Sequence, residues 1–139
     1  MLENKMSFEE LSERISVAPF HKWLGIVLTD VNQEGIELRV PWRPEFVVNV
    51  ELGYTHGGIL AALIDVAADY AIAAKIGRPV PTIDMRVDYH RPAFKGDLIV
   101  KAKVIKLGSN FCNGEAEVSD KNGKALASGR GVYLSAPLG

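Results

Sequence analysis

The chain has 139 residues, 47% of them hydrophobic and 24% charged, with a net charge of −1. That length fits one domain able to bury its own core, and the near-neutral balance leaves no basic footprint for nucleic acid or a membrane surface. A single cysteine, Cys112, excludes an internal disulfide and fits a reducing cytoplasm, while His21, His56 and His90 are too scattered for a zinc set.

Residues 1–23 form a helical lead-in. The start, MLENKMSFEELSERI, is charged throughout and lacks the apolar core of a signal peptide. Ser7 followed by Glu10 is a capping box, which predicts a short helix over 7–16 and a looser APFHKWLG stretch after it. GIVLTDV and GIELRVPW, joined by Asn-Gln-Glu-Gly, read as a β-hairpin. In PWRPEFVVNVELGYT, Pro41 and Pro44 argue for an irregular loop.

A helix is predicted from about Gly58 to Ile76, with seven alanines, a stop at Gly77, and Pro79 and Pro81 beyond it. Asp65, Asp69 and Lys75 interrupt its apolar run, making it a poor membrane span and a good buried helix. In PTIDMRVDYHRP, Ile83, Met85, Val87 and Tyr89 alternate with Asp84, Arg86, Asp88 and His90, so the first set is expected to pack on the helix. DLIVKAKVIKL, NFCNGEAEVSD and KALASGRGVYLSA complete a meander with short turns. Gly129-Arg130-Gly131 falls inside the last strand, so it is no dinucleotide fingerprint. Trp23 and Trp42 read as core or interface anchors. The whole chain, 1–139, is one α+β domain. A single sheet of roughly five or six antiparallel strands covers only one side of such a helix, which favours a two-fold partner subunit.

Chemistry concentrates at residues 53–65, GYTHGGILAALID. The first amides of a helix lack intrahelical acceptors, and Gly57 and Gly58 let a ligand approach them. Such a helix start suits a phosphate or the oxyanion of a carbonyl under attack, although a glycine pair is more often only a turn. Asp65 lies about 10 Å further along nearly the same helix face. One carbonyl can therefore touch the helix start of one subunit and Asp65 of another, if the helices run antiparallel across a dimer axis. Asp65 reads equally as a general base or as a hydrogen-bonded structural carboxylate. Asp69, one turn on, is expected to reach solvent or a basic group, because like charges at this spacing repel.

The stretch G-Y-T-H-G-G-I-L-A-A-L-I-D, followed by T-I-D-M-R-V-D-Y-H-R-P-A, resembles the hotdog-fold thioesterases of the PaaI-like group, over about Leu24 to Leu134. The resemblance implies a long central helix wrapped by the sheet, and a homodimer or a dimer of dimers. It also implies an acyl-CoA substrate, with coenzyme A entering as part of that substrate and no separate cofactor. In that pattern the Gly57 amide polarises the thioester carbonyl and His56 shapes the turn. Asp65 of the opposite subunit is general base or nucleophile, Thr82 positions water, and Asn49 is the asparagine preceding the motif. Asn49 stands seven residues before His56 where the pattern has six, and Thr82 shares strand parity with Asp84 and Arg86, away from the helix. Thr82 reaches the site only if its strand starts irregularly or pairs across subunits.

Between residues 85 and 106, Arg86, Arg91, Lys95, Lys101, Lys103 and Lys106 outnumber Asp88 and Asp97 by four charges. His90 and Arg91 at the strand end, and Lys106, Ser109 and Asn110 in the next hairpin, are the candidates for the CoA phosphates. Phe46, Val47 and Val48 either line an acyl pocket or cap the core. Two other readings use the same fold: a non-catalytic acyl-CoA-binding protein, and an acyl-thioester hydratase or dehydratase.

Overall fold

Ser7 opens the first helix as its spacing predicts. Its Oγ accepts the Glu10 amide at 3.1 Å while Glu10 Oε1 accepts the Ser7 amide at 3.1 Å. In the computed structural model, which describes residues 3–138, this helix, α1, spans Phe8–Val17 and buries Leu11 and Ile15. The stretch expected to be loose is a second short helix, α2, Pro19–Leu24. Proline at its first position and Gly25 in a left-handed conformation at its end give it a start and a stop. Strands β1 (Val27–Val31) and β2 (Gly35–Val40) make the expected hairpin, its turn held by Asn32 Oδ1 on the Glu34 and Gly35 amides. The proline-rich loop contains one 3-10 turn, Pro44–Phe46. Phe46 is fully buried and Val48 exposed, so Phe46 caps the core.

The long helix, α3, spans Gly57–Ile76 and ends on Gly77 at φ 94°. Strands β3 (Thr82–Tyr89), β4 (Leu98–Leu107), β5 (Phe111–Ser119) and β6 (Ala125–Leu134) follow. All six strands form one antiparallel sheet in the order β1-β2-β4-β5-β6-β3, curled around α3. Small residues set how closely the two layers meet. A Cβ at Gly114 would stand 3.2 Å from Ala68, and one at Gly129 would stand 2.9 Å from Ile64 and 2.5 Å from the Arg86 carbonyl oxygen. The other face of the sheet carries a charged ladder: Lys101–Glu37 at 3.8 Å, Lys103–Glu115 and Arg130–Glu115 at 3.4 Å, and Arg86–Asp88 at 3.3 Å. Much of the apparent cationic surplus is matched there.

Two features matter for function. The helix is not covered all round: Gly58, Ala61, Ala62, Asp65 and Asp69 form a strip along one side that is exposed or half-buried. The second is β3, an edge strand that begins with a bulge. Thr82 pairs with Tyr133, but Asp84 already pairs with Val132, so Ile83 is the extra residue. Ile83 is 52% exposed, and only Met85 and Val87 of the expected apolar face pack against the core.

Candidate active site

The turn into α3 is built by His56. As N-cap residue its Nδ1 accepts the Gly58 amide at 2.8 Å, which in the neutral ring puts the proton on Nε2. The Gly57 amide has no acceptor among the described residues, while the Gly57 carbonyl accepts the Tyr89 hydroxyl at 2.7 Å. A side chain at Gly57 would meet the Tyr89 ring at 3.3 Å. One free donor therefore sits at the positive end of a twenty-residue helix with nothing beyond hydrogen at its Cα.

Asp65 lies further along the half-covered strip of α3, and two hydroxyls converge on one of its oxygens. Thr82 Oγ1 donates to Asp65 Oδ1 at 2.7 Å and Tyr133 Oη at 3.1 Å, the latter also lying 3.2 Å from the Asp65 carbonyl oxygen. The bulge is what brings Thr82 there. By strict alternation it would face away with Asp84, but the extra residue turns it to the side of its partner Tyr133, toward α3. Tyr133 was not foreseen. The only sequence trace of it is Gly131, two residues back on the same face: a Cβ there would stand 2.5 to 2.7 Å from the Tyr133 ring and hydroxyl.

Asp69 departs from expectation. It is half-buried on the open strip of α3, has no basic partner among the described residues, and accepts the Val80 amide at 2.9 Å. Burial pushes its carboxyl up to about 7, an effect opposed by that amide and increased by the Asp65 charge. Burial, followed by the Asp65 charge, also raises the Tyr133 hydroxyl far above an ordinary phenol, which keeps it a donor.

The remaining candidates are dispersed. Asn49 is committed to its own loop, Oδ1 accepting the Leu52 amide at 2.7 Å and its carbonyl the Gly53 amide at 2.7 Å. His90 Nε2 lies 2.8 Å from Ser128 Oγ, and the Arg91 guanidinium donates to the Ala125 carbonyl. Lys106, Ser109 and Asn110 sit at the other end of β3, near Thr82, since the hairpin that holds them pairs with the end of β6. The strand rise puts the two groups roughly 25 Å apart in one chain. A cleft of about 290 Å³ lined by Arg91, Phe94, Lys95, Lys121 and Lys124 joins the first group. It lies at the end of the molecule that carries the His56 turn, where the Thr55 amide donates to the Ala93 carbonyl at 2.8 Å. A concavity of about 880 Å³ lies on the charged outer face of the sheet, and neither Gly57 nor Asp65 lines it. Among the described residues no three His, Cys, Asp or Glu side chains form a metal-holding group, and no helix is long and apolar enough to cross a membrane.

The stretch from residue 52 to 127, which holds the helix start, Asp65 and Thr82, matches the model of the thioesterase superfamily. The chain belongs to that superfamily. A crystal structure of another thioesterase-superfamily protein, 47% identical, superposes with a TM-score of 0.89 over 91% of this chain and 96% of that one. A protein of Halobacterium salinarum, provisionally named an esterase, is 34% identical over 122 residues, 80% of each chain. The Escherichia coli protein named medium/long-chain acyl-CoA thioesterase YigI is 25% identical over 132 residues, 84% of each chain. The fold is the hotdog fold, and thioester hydrolysis is the chemistry of the family.

Proposed function

We propose that this thioesterase hydrolyses acyl-CoA to the free acid and CoA, with Asp65 as its base or nucleophile and the Gly57 amide as the donor to the thioester oxygen. The observation that carries the reading is the pairing of an unpartnered helix-start amide with a carboxylate held by two hydroxyls. In the water route, Asp65 takes a proton as water oxygen attacks the carbonyl carbon. The Gly57 amide holds the resulting oxyanion. Collapse breaks the C–S bond, and the proton passes from Asp65 to the departing CoA sulfur. In the direct route Asp65 itself attacks, expelling the thiolate, and water then cleaves the mixed anhydride.

Gly57 and Asp65 of one chain are too far apart along α3 for one carbonyl, so the reading needs a homodimer in which each site takes one group from each subunit. Two surfaces support it: the free edge of β3 and the uncovered strip of α3 beside it. A dimer of dimers is compatible. The cleft at Arg91, Lys95, Lys121 and Lys124 is the place for the CoA phosphates, with His90 beside it. The name of the Escherichia coli relative YigI, a medium/long-chain acyl-CoA thioesterase, puts medium acyl chains first on the panel, with small acyl and aryl groups beside them.

A free-thiol release assay on a panel of acyl- and aryl-CoA esters tests this, with wild type and Asp65→Asn side by side. Selective turnover that falls at least about a hundredfold in the variant supports it. Binding of the esters without turnover in wild type points instead to an acyl-CoA-binding protein, and equal rates in both proteins remove Asp65 from the mechanism.

A further inference from the structure

We infer that Tyr133 is a positioning residue for Asp65: its hydroxyl, together with that of Thr82, pins Oδ1 and leaves Oδ2 as the oxygen that faces the reacting water or thioester. This rests on the proposed role of Asp65.

The geometry is specific. Both hydroxyls meet the same carboxylate oxygen, at 2.7 Å from Thr82 and 3.1 Å from Tyr133, and Oδ2 has no partner among the described residues. A carboxylate on a rotatable χ2 presents either oxygen, whereas two donors on Oδ1 from different strands fix which one turns outward. Tyr133 is fully buried, in a cluster with Ala68, Ile72, Val80 and Cys112, so its hydroxyl is delivered from a rigid ring and not from a mobile surface side chain. A purely structural tyrosine would be satisfied by the backbone carbonyl 3.2 Å away, but this one also reaches the side chain. Two strand glycines clear its path. Gly131 vacates the space that the ring fills, and Gly129 lets the strand lie against Ile64 of α3. The Gly-Arg-Gly stretch, which matches no nucleotide motif, thereby finds its use in the site.

The titratable groups that face Asp65 are Asp69 on its own helix and Tyr133 from β6. From β3 comes the non-titrating Thr82 hydroxyl, and from β5 Cys112 lies beside the Tyr133 ring.

The test is Tyr133→Phe, which keeps the buried ring and deletes only the donor, read through kcat and KM separately on the best CoA ester, with Thr82→Val and the double variant beside it. The expected result is a kcat lower by about tenfold with KM little changed. Because both hydroxyls hold one oxygen, the loss in the double variant is expected to depart from the product of the two single losses. Tyr133→Phe with a wild-type kcat, a loss carried by KM alone, or a double variant whose loss is simply that product, as for two independent packing defects, overturns the role. Asp65→Asn separates this inference from the one beneath it. If that variant keeps its turnover, the role of Asp65 fails and that of Tyr133 with it. If it is inactive while Tyr133→Phe behaves as wild type, Tyr133 alone is wrong.

Discussion

Thr82 donates to Asp65 at 2.7 Å across seventeen residues of sequence, and it does so because β3 begins one residue out of register. The hydroxyl holds the carboxylate from the strand side, so Thr82→Val, which keeps the β-branched shape and removes the donor, should lower kcat by about tenfold. Thr82→Ser should restore most of it. Steady-state kinetics of the two variants decide the point: equal losses in both would mean that shape, not the hydroxyl, matters at this position.

The start of α3 makes a separate claim. A methyl at Gly57 would touch the Tyr89 ring at 3.3 Å and stand beside the amide proposed to hold the oxyanion. Gly57→Ala should therefore lower kcat/KM by about a hundredfold while circular dichroism and melting stay close to wild type. Tyr89→Phe, which loses only the hydrogen bond to the Gly57 carbonyl, should cost far less. A Gly57→Ala enzyme with normal kcat/KM would show that the reacting oxygen lies elsewhere.

Asp69 gives the stability curve a direction. Its folded carboxyl titrates at about 7 against an ordinary value of 3.8, so the folded state holds the proton more tightly than the unfolded chain. The resulting stabilisation is full below pH 3.8, declines across the window up to about 7, and is absent above it. Asp69→Asn retains an acceptor for the Val80 amide and removes the titration. The stability of the variant relative to wild type should thus rise as pH climbs from about 4 to 7 in denaturant titrations. Parallel curves over that range would show that Asp69 ionises normally.

Much of this was legible in the residues, and the parts that were not have identifiable causes. The capping box at Ser7, the Gly77 stop and the helix-strand order depend on neighbours within a few positions, and they appear as read. His-Gly-Gly and Asp65 stand out because glycines and a carboxylate are conspicuous around an apolar helix. Strand alternation misplaces Ile83 and Thr82 because a bulge carries no signature of its own in a single sequence. Asp69 was expected to avoid Asp65 by turning outward, and the Val80 amide, supplied by the loop after the helix, is a tertiary partner that spacing cannot reveal. Tyr133 is hidden for the same reason: sixty-eight residues separate it from Asp65, and it is the packing of β6 on α3 that brings them together.

The β3 edge carries the last prediction, because the proposed site is incomplete within one chain. Ile83 is 52% exposed, pushed out of the core by the bulge, and it stands on the edge strand next to Thr82. A lysine there removes no buried contact from the single subunit, so the fold should survive, whereas a charge on a pairing edge opposes association. If the proposed dimer forms through this edge, Ile83→Lys should shift it toward monomer in sedimentation at micromolar concentration, with its circular dichroism unchanged. Turnover should then rise with protein concentration faster than linearly, as subunits reassemble and each Asp65 regains a Gly57 amide from its partner. A variant that stays dimeric at all concentrations with wild-type turnover would place the subunit contact elsewhere. A monomer with full activity would show that Gly57 and Asp65 need not come from different chains.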